Sequence, residues 1–177
     1  MIETEHLRLV VSDPVWAPKF AEALRASTDE LRFIPGWRKA GDVEYAASSL
    51  RRSIESARDD IVRHAFERVT NDYVGRVDLH SWDDDVPRCE IGYLGATRMT
   101  GRGLLTEACR AMMDLAWSMG VIRIQATCDA RNARAIRMAE RLGMLHEGVR
   151  LSYERDVDGT LCDEVMLAIV RDPTSNG

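Results

Sequence analysis

A mixed α/β domain, with a largely antiparallel sheet flanked by helices, is the fold class this sequence predicts. Three observations carry the prediction. β-rich runs are interleaved with longer runs whose apolar residues recur every three or four positions. Three of the β-rich runs follow one another with only short polar breaks, as a meander does. The last two meet at Asp158-Gly159, a hairpin signal.

The elements follow in order. Leu7 to Val11 reads as a strand, and Ser12-Asp13-Pro14 supplies a turn and a helix start for Val15 to Ala26, where Phe20, Ala23 and Leu24 share a face. Pro35-Gly36-Trp37 breaks the helical region. Asp42 to about Arg58 is a second helix, with Val43, Ala46, Ala47, Leu50 and Ile54 at helical spacing. Ile61 to Val69 and Tyr73 to Trp82 pair across Thr70-Asn71-Asp72, and Arg88 to Ala96 follows the loop Asp83 to Pro87. Leu104 to Ser118 is helical, Arg123 to Cys128 a strand, and Ala133 to Leu142 a helix stopped at Gly143. Residues 1–171 are expected to form one domain and 172–177 a loose C-terminal tail.

A chain of 177 residues with 45% hydrophobic and 30% charged residues is in the globular range, which excludes disordered, collagen-like and disulfide-dense classes. Twenty-four basic against 29 acidic residues leave a net charge of -5, the wrong balance for nucleic acid and a better one for an amine-bearing partner. The acidic start Met-Ile-Glu-Thr-Glu is unlike a secretory signal, and no run approaches a bilayer span, so a cytoplasmic protein with no membrane partner is expected. Cys89, Cys109, Cys128 and Cys162 lack ligand spacing, and so do His6, His64, His80 and His146. Reduced thiols, structural histidines and no metal are therefore expected.

The most informative stretch is Cys89 to Ala108, where a strand runs through Gly101-Arg102-Gly103 directly into a helix. Such a junction aims backbone N–H groups and a positive helix end at one point, a place for phosphate. It is neither a Walker loop, since no Gly-Lys-Ser/Thr follows, nor a dinucleotide fingerprint, since the third glycine is absent.

Almost the whole chain resembles the GNAT superfamily of acyl-CoA-dependent N-acetyltransferases, and within it the RimJ/RimL type. The resemblance is carried by Glu3-Thr4-Glu5-His6-Leu7-Arg8-Leu9, by Glu90-Ile91-Gly92-Tyr93, and by Gly101-Arg102-Gly103-Leu104-Leu105-Thr106-Glu107-Ala108. Asn132 with Arg141-Leu142-Gly143-Met144, and Glu147-Gly148 with Asp158-Gly159 and Asp163, complete it. It implies a strongly twisted mixed sheet splayed open between the family's fourth and fifth strands, with acetyl-CoA (coenzyme A) as acyl donor and no metal. By that resemblance Leu94, Gly95 and Ala96 would meet the pantetheine, Thr100, Gly101, Arg102, Gly103, Leu104, Leu105 and Thr106 the phosphates, and Asn132 and Ala135 the pantetheine arm. Asn132 would also suit a helix N-cap. Two departures stand out: Thr100 holds the place of the family's Arg or Gln when Thr106-Glu107-Ala108 anchors the match, Arg98 filling it only in a register shifted by two, and Leu105 replaces a usually small residue, where it would crowd the phosphate side.

Direct acetyl transfer needs a neutral amine, a polarised carbonyl and relief of the departing thiolate. By resemblance Glu90 would take the amine proton, directly or through water, and a backbone N–H near Leu94 would polarise the carbonyl. The family's usual acids, a Tyr or a Ser after Asn132, match Ala139 and Ala135, which leaves Cys128 and Tyr153 as candidate donors. Glu154 matches a carboxylate near the substrate, although a hairpin pair with Arg150 or Arg155 is an alternative. Trp37 would wall the acceptor pocket.

Function is therefore expected to be acetyl transfer to a primary amine, with a protein N-terminus first and a polyamine- or aminoglycoside-like acceptor second. Ala135 and Ala139 keep a non-catalytic acyl-CoA-binding module open. A monomer or homodimer is expected.

Overall fold

In chain order the computed structural model contains β1 (Ile2–Glu3), β2 (Leu7–Val10), α1 (Ala17–Arg25), α2 (Val43–Glu55), β3 (Ile61–Glu67), β4 (Tyr73–Asp83) and β5 (Arg88–Gly95). It continues with α3 (Leu104–Ser118), β6 (Arg123–Asp129), α4 (Ala133–Arg141), β7 (Leu145–Arg155) and β8 (Leu161–Val170). The structure describes residues 1–27, 31, 33, 42–56, 60–83 and 85–171. Trp37 and the tail 172–177 lie outside the described residues.

The helices begin where side chains can take up their first amides. Asp13 accepts from Val15 N ahead of Pro14 and α1, Asp42 accepts from Glu44 and Tyr45 N at the start of α2, and Asn132 accepts from Ala135 N at the start of α4. α3 differs. Its cap is Gly103, in the left-handed region at φ 76°, and no side chain caps it.

The strands form one sheet in the order β1-β2-β3-β4-β5-β6-β8-β7. Every pairing is antiparallel except β5 with β6, which run parallel through only Arg88↔Arg123, Cys89↔Ile124 and Glu90↔Gln125. Beyond Glu90, β5 remains paired with β4 as far as Gly95, while its other edge has no strand partner among the described residues. This is the splay that the resemblance implies. It falls between the fifth and sixth strands because Ile2–Glu3 adds a two-residue strand, too short to leave a pattern in the sequence.

Alternation along β4 and β5 sorts side chains to two faces. Val77, Leu79, Cys89 and Ile91 are buried on the α3 side with Ala108, Cys109, Met112 and Ala116. Arg76, Asp78, His80, Glu90 and Gly92 occupy the opposite side. Burying a large apolar chain such as Met112 contributes about 1.5–3 kcal/mol, so α3 is held mainly by its apolar stripe. Among the described residues, no helix is long and apolar enough to cross a membrane.

Candidate active site

Where β5 parts from β6, a cleft of about 1210 Å³ opens between β5, the Gly101-Arg102-Gly103 turn, α3 and the start of α4. Leu94, Gly95, Ala96, Thr100, Gly101, Arg102, Gly103, Leu104, Leu105, Thr106, Asn132 and Ala135 all border it. These are the residues expected for the coenzyme.

Gly101 and Gly103 both have positive φ, 79° and 76°, and a Cβ built on either would meet no atom within 4 Å. The turn therefore demands glycine for backbone conformation and leaves open space in front of it. With no side chain capping α3, its first-turn amides face that space, the arrangement an anionic group needs.

Two expectations about this cleft change. Leu105 does not crowd the phosphate side: it turns onto the sheet, where a Cβ on Gly95 would lie 2.8 Å from its Cδ2 and one on Gly75 would lie 3.0 Å from its Cδ1. Arg102, for its part, turns back to pair with Glu67, which also accepts from Thr70 at 2.7 Å. The hydrogen bonds from Arg102, then Thr70, hold the Glu67 carboxyl below the usual range. Positive charge at the cleft comes also from Arg110 on α3 and from Arg134, Arg137 and Arg141 on α4. The last three stand three and four residues apart, a one-face spacing visible in the sequence alone.

A carboxylate at the start of α3 would oppose an anion there, but Glu107 is engaged by the N-terminal segment. It accepts from Thr4 Oγ1, from His6 N at 2.9 Å and faces His6 Nδ1 at 3.0 Å.

A smaller cavity of about 310 Å³ lies on the other face of the sheet and shares Tyr93, Leu94, Asn132 and Ala135 with the first. Glu90, Cys128 and Glu154 border it, together with Arg76, Asp78, His80, Asp129 and Glu164. Glu90 Oε1 accepts from Thr127 Oγ1 at 2.8 Å and Oε2 from Gln125 Nε2 at 3.2 Å. A carboxylate has about four acceptor positions, so both oxygens retain capacity. Directly across the β4–β5 ladder stands His80, and Gly92 stands opposite Asp78. Gly92 has a steric cause: a Cβ there would come within 2.7 Å of Asp78 Oδ2. The two cavities thus meet at the point where the sheet opens, one from each face.

The family described as the acetyltransferase (GNAT) domain matches residues 7–145. This chain belongs to the GNAT family. The Bacillus subtilis protein named "Putative ribosomal N-acetyltransferase YdaF" is 35% identical over 75 residues, 42% of this chain and 41% of that relative. "Uncharacterized N-acetyltransferase p20" of Bacillus licheniformis is 27% identical over 103 residues, 58% of this chain and 57% of its own length. The chain therefore spans about half the length of the curated relatives it matches. A solved structure of RimL, a ribosomal L7/L12 alpha-N-protein acetyltransferase in complex with coenzyme A, has a TM-score of 0.84 at 18% identity, covering 96% of both chains. At that identity the likeness is one of fold.

Within this GNAT chain the remaining candidates separate. Asn132 performs the cap role, accepting from Ala135 N at 3.1 Å, and also borders both cavities. Tyr153 borders neither: it is 55% exposed, with the Arg150 guanidinium 3.8 Å above its ring. Glu154 is at the exposed rim and accepts from Arg155 N at 3.3 Å, whereas Arg150 pairs with Glu164. Cys128 is half-buried, and burial, then Glu164 and Asp129, push its thiol up to about 11. Protonating an ordinary thiolate of pKa about 8.5 from such a thiol runs uphill by roughly 3 kcal/mol, which weighs against Cys128 as donor. Ala139 is fully buried and Ala135 turns its carbonyl to Tyr93, so neither GNAT acid position holds a proton donor. Tyr93, whose phenol is raised by burial, was overlooked as a site residue although it borders both cavities. No group of three or more metal-capable His, Cys, Asp or Glu side chains occurs among the described residues.

Proposed function

We propose that residues 1–171 form one domain that transfers the acetyl group of acetyl-CoA directly to a primary amine, a protein N-terminal amine by preference, within a ternary complex. The observation that carries the reading is the meeting of the two cavities at Leu94, Tyr93, Asn132 and Ala135. A donor and an acceptor can approach that point from opposite faces of the sheet and react without a covalent enzyme intermediate. The uncapped start of α3 and the arginines of α4 suit the phosphates of coenzyme A, and the unpaired edge of β5 beyond Glu90 suits an amide-bearing pantetheine arm. Glu90 then receives the acceptor ammonium. The name of the Bacillus subtilis relative supports a ribosomal acceptor.

A small polycationic amine is the second reading, favoured by the acceptor cavity itself. Asp78, Glu90, Asp129, Glu154 and Glu164 border it, against Arg76 and His80. An acceptor screen with acetyl-CoA, read by free thiol and by mass spectrometry, tests both. Acetylation of N-terminal peptides supports the first reading and faster turnover of polyamines the second. Binding of acetyl-CoA without thiol release from any amine would instead identify a non-catalytic coenzyme-binding module.

A further inference from the structure

The face of β4 that closes the acceptor cavity carries a carboxylate, an imidazole and, across the ladder, a second carboxylate in line. His80 Nδ1 lies 2.9 Å from Asp78 Oδ2, and His80 Nε2 lies 3.8 Å from Glu90 Oε1. All three border the cavity. We propose that His80 Nε2 takes the proton the acceptor amine must lose, with Asp78 positioning the ring and Glu90 holding the ammonium. The assignment rests on the acetyl-transfer reading above.

Geometry sets the roles. The Asp78 carboxylate lies 2.9 Å from Nδ1 as an ion-pair contact outside hydrogen-bond alignment, and its charge favours the single N–H of a neutral imidazole on that nitrogen, which leaves the Nε2 lone pair toward Glu90. The 3.8 Å between Nε2 and Oε1 is too long for a hydrogen bond of their own. One ammonium nitrogen can reach both, at about 2.9 Å each. Basicity then selects the ring. An ordinary carboxylate is too weak a base for an α-ammonium by a factor of a few thousand, an ordinary imidazole by only about twenty. Asp78, outweighing burial, raises His80 further toward the amine.

Among the described residues, few groups face His80. Asp78 shares its strand, and Arg76, whose Nη1 is 3.2 Å from Asp78 Oδ1, stands behind it. Glu90 faces from β5, and Asp60, ahead of β3, adds a further negative charge. β6 offers the neutral Gln125 and Thr127, both bonded to Glu90. Cys128, Asp129, Glu154 and Glu164 complete the cavity farther off, with Asp129 paired to Arg131 and Glu164 to Arg150.

The step balances. One proton passes from the ammonium to Nε2 and on to solvent. The freed lone pair forms the N–C bond to the acetyl carbon as the C–S bond breaks, and a second N–H proton leaves nitrogen for the departing sulfur. Amide, free thiol and one solvent proton result.

The test measures kcat against pH with two acceptors, a peptide α-amine of pKa about 8 and an alkyl amine of pKa about 10. For the wild type the acid limb should fall at the same pH with both acceptors, and that pH should match the His80 titration followed by NMR. In His80→Gln, kcat should drop by about 10²–10³ and the limb should follow each amine's own pKa. Asp78→Asn should lower the NMR titration and the kinetic limb together. Wild-type turnover with an unchanged limb and rate in His80→Gln, or a limb that ignores the NMR shift in Asp78→Asn, overturns the assignment alone. A wild-type chain that binds acetyl-CoA and acetylates no amine overturns the proposed function, and the assignment with it.

Discussion

The Tyr93 hydroxyl donates to the Ala135 carbonyl at 2.9 Å and so ties β5 to the first turn of α4 across the opening in the sheet. That contact bridges the point where the two cavities meet. Tyr93→Phe keeps the ring and removes only the bond, so urea unfolding should show a loss of about 0.5–1.5 kcal/mol. A loss too small to measure would mean that α4 is held at this junction by packing alone.

The turn before α3 makes a second expectation. Gly103 sits at φ 76°, where a β-branched residue is strained, and faces open cleft. Gly103→Val should therefore weaken acetyl-CoA binding at least tenfold by calorimetry, through backbone distortion and bulk together. Wild-type affinity in a folded Gly103→Val protein would place the coenzyme elsewhere.

Glu90 is half-buried and held by Thr127 and Gln125, so Glu90→Gln preserves shape while removing charge. Because Glu90 holds the acceptor ammonium, expected is a raised acceptor KM and a fall in kcat/KM of at least tenfold, with acetyl-CoA affinity little changed. The loss should shrink as pH rises and more of the amine is already neutral. Retained wild-type kcat/KM from about pH 6 to 9 would reduce Glu90 to a strand residue.

His64 makes a prediction about stability. It is fully buried, with Nε2 3.2 Å from Ser12 Oγ and Nδ1 3.0 Å from Tyr73 Oη, and burial holds it down to about 3. The unfolded chain binds this proton near pH 6.5 and the folded chain does not, so between those values stability falls as pH falls, by about 1.4 kcal/mol per pH unit. Urea unfolding at several pH values between 4.5 and 6.5 should show that much less slope in His64→Gln than in the wild type. Equal slopes would assign the proton uptake to other groups.

Long periodic segments were legible in the sequence. The α3 helix begins and ends at the residues its apolar spacing marks, because a wide buried stripe over fifteen residues leaves no other period. The glycine turn was legible too, since only a few backbone shapes need two glycines around one residue. Direction was not. Leu105 was expected toward the phosphates and lies on Gly95 and Gly75, a choice made by the sheet beneath it. Tyr153 lies under Arg150, outside both cavities. His80 looked like a lone strand histidine because its partner Glu90 is ten residues away, and only the β4–β5 register brings the two face to face.

The short parallel contact between β5 and β6 has a consequence for cooperativity. With three register pairs between them, strands β1 to β5 and strands β6 to β8 meet along the shortest seam inside the sheet, shorter than any but the two-residue β1 edge, and local opening there should be easy. A molecule lying along the free edge of β5 would touch both sides of that seam. Bound at a hundred times its dissociation constant, it would stabilise the whole by about 2.7 kcal/mol. Amide exchange would then slow on β6 and β8 as well as on β5, so that residues far from any ligand atom would register its presence.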